Sequence, residues 1–253
     1  MKKPDLKNFL DQKVEQYNTP DFIQTDPIQI VHQYKTKQDI EIMGLLIATI
    51  AWGNRKSIIQ NGERLSKLME NKPYDYLTNT TEKEWQHLDF VHRTFNKEDL
   101  LFFMSALQAH YSQSDSLEDL FLSNPSEPGV KSKIHSFRTS LLAHPHLKRT
   151  EKHISDPMNG SAAKRLNMFL RWMVRNDGKG IDFGIWNKIP LSELRIPLDV
   201  HTGNVARKLG ILTRKQNDWK ALDEIHAHLD KFDPKDPAKY DYALFGLGAF
   251  EGY

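Results

Sequence analysis

The chain has 253 residues, a net charge of +2 from 35 Lys plus Arg against 33 Asp plus Glu, and no cysteine. Hydrophobic residues at 39% and charged residues at 27% supply both a core and a hydrated surface, which excludes a disordered or fibrous chain. Without cysteine there are no disulfides, thiolate zinc sites, iron–sulfur clusters or cysteine nucleophiles.

Helical spacing recurs along the chain. Leu6, Phe9, Leu10, Val14 and Tyr17 repeat at three and four, and the charges among them leave no apolar middle region of a secretory signal. Ile42, Leu45, Leu46, Thr49 and Ile50 repeat in the same way. They fall in an apolar run, Met43 to Gly53, of 11 residues, shorter than the 18 or so of a membrane span. Ile58, Ile59, Leu65 and Leu68 make a third stripe. Further helices are expected over 98–111, 117–122, 131–142, 161–174, 200–209, 219–231 and 238–249. Asp99, Ser116, Ser161, Asp199 and Asp218 stand near their starts, and Gly210 just past an end. Strand patterns are scarce, so the fold class is all-α. Residues 175–198, with three glycines and two prolines, read as a long non-periodic connection, a kind of loop that is often functional.

Charge is uneven. Residues 131–220 hold 18 Lys plus Arg against 7 Asp plus Glu, a net of +11, and the remainder carries −9. Such a run is either a solvated helix face or a surface that tracks phosphates.

Two stretches carry chemistry. In Gly160-Ser161-Ala162-Ala163-Lys164-Arg165, small residues at a helix start expose amides that can hold a phosphate. The partial positive charge there makes protonation of a nearby lysine costlier, a setting for an amine nucleophile. Small residues before a helical lysine are also commonplace. In Pro197-Leu198-Asp199-Val200-His201, the aspartate reads as an N-cap, and a capping carboxylate can also stabilise an oxocarbenium-like charge.

Together these motifs resemble the helix-hairpin-helix base-excision DNA glycosylases, the HhH-GPD superfamily. Leu45 to Asn54 is similar to the early core helix of endonuclease III and the 8-oxoguanine glycosylases, and the likeness spans roughly residues 38 to 250 in order. The resemblance implies an all-α, two-lobed fold with a cleft between the lobes. The first lobe would cover 39–144 and the second 1–38 plus 145–253. It implies Lys164 as the Schiff-base nucleophile and Asp199 as the family's aspartate. Gly160, Ser161 and Ala162 become a hairpin gripping a phosphate, with Arg165 and Arg207 as phosphate contacts and Asn54, Arg55 and Lys56 as further DNA contacts. Asn54 takes the place of the residue that fills the gap left by a flipped base. Trp52 and Trp186 are read as base-pocket walls, stacking on an extruded base, and His201 as a residue that shapes the site. The second hairpin glycine is Ala162 here, and the 35 residues from Lys164 to Asp199 exceed the spacing in endonuclease III. A similarly long insertion makes the archaeal 8-oxoguanine glycosylases the most similar characterised branch.

The expected activity is that of a bifunctional DNA glycosylase and abasic-site lyase acting on double-stranded DNA, with an oxidised purine as the first substrate guess. The alternative is a DNA- or RNA-binding protein of the same fold without catalysis. A helical scaffold for a protein partner is a third reading. No cofactor, iron–sulfur cluster or membrane partner is expected, and the chain reads as a cytoplasmic, nucleoid-associated monomer. The 11 histidines do not suggest a metal site, because His226 and His228 lie two apart on a helix and point to different faces.

Overall fold

The computed structural model describes residues 3–253. It is all-helical, and among the described residues there is no strand, only isolated bridges between His92 and Phe95 and between Ser161 and Asp218. In chain order the helices are α1 (Lys3–Tyr17), α2 (Asp21–Thr25), α3 (Ile28–Val31), α4 (Lys37–Ile50), α5 (Arg55–Leu68), α6 (Pro73–Asn79), α7 (Glu82–Trp85), α8 (Lys97–Tyr111), α9 (Glu118–Leu122) and α10 (Val130–Leu141). They are followed by α11 (Lys164–Val174), α12 (Val200–Lys208), α13 (Trp219–Phe232) and α14 (Tyr240–Phe250), with short 3-10 turns at Lys148–His153, Leu191–Glu193 and Pro237–Lys239. No helix among the described residues is long and apolar enough to cross a membrane.

Two compact units result. One holds residues 3–22, Gly129–Lys131 and Asp156–Tyr253, and the other holds Ile23–Pro128 and Ser132–Ser155. These boundaries differ from those expected at 39 and 144, and the packing explains both shifts. Residues 23–38 join the second unit because Ile28, Ile30 and Val31 are fully buried and α3 packs on α4 and α5. Gly62 in α5 permits that approach, since a Cβ there would stand 2.8 Å from Ile47 and 3.0 Å from Ile30. Residues 145–155 join the same unit because Asp99, wholly buried in α8, accepts hydrogen bonds from Arg149 Nη1 at 2.7 Å and Thr150 Oγ1 at 2.7 Å, with His153 Nε2 at 3.2 Å. A buried carboxylate without such partners would cost several kcal/mol (~3–5), so Asp99 draws the 148–153 turn onto the helix. Residues 1 and 2 of the expected second lobe lie outside the described residues.

In the second unit α4 is buried from Ile40 to Ile50, apolar on every face, as befits a central helix. Each fully buried Ile or Leu of that helix contributes about 1.5–3 kcal/mol relative to exposure. Its one acidic group inside, Glu41, is satisfied by Tyr111 Oη at 2.7 Å, Ser116 Oγ at 2.7 Å and the Leu117 amide at 3.0 Å.

The first unit is built on α14. α1 lies along it through Leu6, Leu10 and Val14, and Gly246 is required there because a Cβ would fall 2.1 Å from the Tyr17 ring. α12 crosses the same helix, where a Cβ on Gly248 would meet Val205 and His201 at 3.2 and 3.3 Å. The 175–198 connection is no floppy loop: Ile181, Trp186, Ile189, Leu194, Ile196 and Leu198 are buried along it. An ionic network fixes it to the helices. Arg171 Nε pairs with Asp182 at 3.2 Å and Arg175 Nη1 with the same carboxylate at 3.1 Å, while Tyr242 Oη donates to it at 2.8 Å. Arg171 also contacts Asp241, and both guanidiniums lie over the Tyr242 ring, at 4.5 and 5.3 Å.

Candidate active site

Helix α11 begins at Lys164, not at Ser161 as expected. The cause is Ala163, whose backbone is left-handed at φ +44° and so cannot continue a helix backwards. Lys164 is therefore the first helical residue rather than one turn in. The turn before it is closed by the Ser161 amide on the Asp156 carbonyl at 3.2 Å and the Gly160 amide on Pro157 at 3.0 Å. Gly160, at φ +87°, occupies a conformation that L side chains rarely adopt. Ser161 Oγ accepts from the Ala163 amide at 3.1 Å, and Asn167 Nδ2 donates to the Ala162 carbonyl at 2.9 Å, which ties the turn to the helix.

Asp199 is the N-cap of α12, and its Oδ1 accepts from the Thr202 amide at 2.9 Å. Its other oxygen, Oδ2, stands 3.1 Å from Lys164 Nζ. Two residues 35 positions apart in sequence thus meet as a partly exposed pair, the lysine side chain 35% and the aspartate 20% accessible. Burial pushes the Asp199 carboxyl up, but the Lys164 charge, the Thr202 amide and nearby His201 outweigh it, so the group titrates below the usual carboxylate range. It is anionic at neutral pH, a stabiliser of positive charge rather than a store for a proton.

Behind the pair, in the same unit, Asp241 sits in the first turn of α14 and is 5% exposed. Burial, together with the charges of Asp199 and Asp182, raises its carboxyl to about 7 against the opposing pull of Arg171 and Lys164. Sequence reading missed this network; Arg171 among the apolar residues of the last turns of α11 and Arg175 just past its end were the signal.

The other expected residues divide by unit. Arg165, half-buried beside Lys164, is lowered by burial to about 10 and stays charged at neutral pH. His201 is exposed on α12. Arg207, expected on a phosphate, is committed to its own fold: its guanidinium donates to the carbonyls of Arg214 and Lys215 at 2.9 and 2.7 Å and to Asn217 Oδ1 at 2.6 Å. Trp186, expected as a pocket wall, is 2% exposed and packs edge-to-face on Phe169 with ring centres 5.2 Å apart. Its place is the core, because the 175–198 connection folds inward and buries its apolar residues.

Trp52, Asn54, Arg55 and Lys56 belong to the other unit. Asn54 caps α5, accepting from the Ser57 amide at 3.2 Å, and Arg55 and Lys56 open that helix. Trp52 carries the Arg93 guanidinium over its ring at 4.6 Å, a contact that requires Gly53 at φ +103°, since a Cβ would lie 2.5 Å from Arg93 Nη1. Arg93 itself has φ +57° in the tight turn closed by His92 and Phe95, which no sequence pattern announced. Among the described residues no cluster of three His, Asp or Glu is arranged to hold a metal ion.

The approach to Asp199 is held by His226 in α13. Its Nε2 accepts from the Ile196 amide at 3.1 Å, so Nδ1 carries the proton and donates to Asp230 Oδ1 at 2.9 Å. Burial lowers His226 from 6.5 to about 4, outweighing Asp230. Between those values the unfolded chain binds a proton that the folded one does not. This contribution to stability is full above pH 6.5 and is lost as pH falls toward 4. Asp241 gives the opposite slope over its own window, so the comparison must be with a variant. Urea melts at pH 7 and pH 4.5 are expected to show His226→Gln losing up to about 3 kcal/mol less than the wild type over that interval.

Comparison with known proteins bounds the assignment. No curated protein and no solved structure matches the chain. Residues 26–250 match the family described as Protein of unknown function (DUF2400), and the chain belongs to that family.

Proposed function

We propose that the chain is a DNA base-excision glycosylase with abasic-site lyase activity, working through Lys164 and Asp199. The observation that carries this reading is the 3.1 Å approach of Lys164 Nζ to a capping carboxylate that is anionic at neutral pH. The Lys164 ammonium gives one proton to the departing base, and the Nζ lone pair so freed forms a bond to the sugar C1′ as the glycosidic bond breaks, its electron pair leaving with the base. Loss of the amine proton and ring opening give an iminium, and removal of a C2′ proton expels the 3′ phosphate and nicks the strand. Asp199 stabilises the positive charge that develops on the sugar. Gly160, Ser161, Ala162 and Arg165 hold a phosphate beside the lysine, and in the second unit Asn54, Arg55 and Lys56 are read as DNA contacts of their own and Trp52 as a surface for a base. His201 shapes the site next to Asp199. The same reading takes the two units as the lobes of a helix-hairpin-helix glycosylase on double-stranded DNA, in the cytoplasm, as a monomer.

The test is borohydride trapping on duplexes carrying an abasic site or 8-oxoguanine. A covalent cross-link on the damaged-base duplex is the expected result, whereas trapping on the abasic duplex alone would support lyase chemistry without base excision. Binding with steep salt dependence and no cross-link on either duplex would replace this reading with that of a non-catalytic nucleic-acid-binding protein.

A further inference from the structure

Lys164 and Asp199 stand in separate turns, and no helix runs from one to the other. A three-residue stretch bonds to both. On the lysine side, the Trp219 amide donates to the Gly160 carbonyl at 2.9 Å, and Asp218 forms an isolated bridge with Ser161. On the aspartate side, Asn217 Nδ2 donates to the Asp199 carbonyl at 2.8 Å, beside the Gly203 amide, which donates to the same carbonyl as its helical partner at 2.9 Å. Asn217 is itself held, because its Oδ1 accepts from Arg207 Nη2 at 2.6 Å. Gly203 leaves the room: a Cβ there would stand 2.6 Å from Asn217 Oδ1 and 2.8 Å from Nδ2. The stretch is anchored in turn by Arg214, which pairs with Asp218 Oδ1 at 2.7 Å, and by Asp218 capping α13 through the Ala221 amide at 3.0 Å.

We propose that residues 214–219 form a strap that sets the distance between the Lys164 amine and the Asp199 carboxylate, with Asn217 as its positioning residue. Asn217 touches no reacting atom in this scheme and acts through the Asp199 backbone. The part of the inference that concerns reaction rate rests on the lyase reading; the part that concerns geometry does not. Arg207 acquires a role as well, orienting the Asn217 amide so that its NH₂ faces Asp199.

Two readouts on the intact protein test this. Carboxyl carbon NMR titration of Asp199 reports its contact with the lysine, and single-turnover borohydride cross-linking to an abasic duplex reports the reaction. In Asn217→Ala the carboxylate drifts from the lysine, so Asp199 is expected to titrate about one pH unit higher, with cross-linking slowed roughly 10- to 100-fold and duplex affinity unchanged. Gly203→Ala, a change that favours helix formation, displaces the Asn217 amide and should reproduce both shifts; it decides the matter if Asn217→Ala fails to fold. An Asp199 titration unmoved in both folded variants overturns the strap. If the wild type does not cross-link while Asn217→Ala still raises the Asp199 titration, the lyase reading falls and the strap stands.

Discussion

Lys164→Ala is expected to lower borohydride cross-linking on an abasic duplex by roughly 10³-fold or more, with duplex affinity within a few-fold of the wild type. The covalent bond in the proposed reaction is made by one atom, Nζ, which stands 3.1 Å from the aspartate that caps α12. Removing it removes the nucleophile rather than a share of binding. Loss of one cation among many reduces the salt slope of binding by about 1 at most. Asp199→Asn separates charge from architecture. Asparagine caps a helix about as well as aspartate, so thermal stability should hold. The uncharged amide no longer stabilises a positive sugar, and cross-linking should fall roughly 10²-fold. A variant in which both affinity and melting temperature collapse would mean the pair is structural.

Arg171→Met is expected to destabilise the protein by about 3–5 kcal/mol in urea melts, because it leaves two buried carboxylates short of a counter-charge. Asp182 retains Arg175 and Tyr242, whereas Asp241 loses the guanidinium that contacts it. The loss should depend on pH with a definite sign. Asp241 is raised to about 7, so at low pH it binds a proton in the folded state and has little charge to leave stranded. The destabilisation is therefore smaller at pH 5 than at pH 8. Adding Asp241→Asn should restore part of the lost stability at pH 8 and little at pH 5. Equal losses at both pH values would show that the arginine acts through its packing on the Tyr242 ring rather than through its charge.

The helices were legible where period and punctuation agreed. Ile42 to Ile50, Leu6 to Tyr17 and the Asp218 cap all stand where spacing and capping chemistry put them. The meeting of Lys164 and Asp199 was expected from a family resemblance, and spacing alone would not have shown it. What the sequence hid depends on contacts between distant residues. Ala163 carries no marker of a left-handed backbone, so the start of α11 was misplaced by three residues. The unit boundaries followed Asp99 and Ile30, whose partners lie far along the chain. Trp186 looked like a loop residue because a glycine-rich connection has no period. Only the ion pairs of Arg171 and Arg175 with Asp182 reveal that the connection is folded inward. Arg207 looked free for a ligand because a sequence does not show which carbonyls a guanidinium already serves.

The left-handed Ala163 has a thermodynamic consequence for the amine that follows it. An L residue in that conformation costs roughly 1–2 kcal/mol relative to the right-handed region, and glycine, which escapes the penalty, does not stand there. Glycine would also let the turn wander. With alanine locked by Ser161 on one side and the first helical turn on the other, the lysine stem leaves the backbone in one direction before any ligand arrives. The entropy of ordering that turn is thus lost once, when the chain folds, and is not subtracted again from each encounter with a substrate.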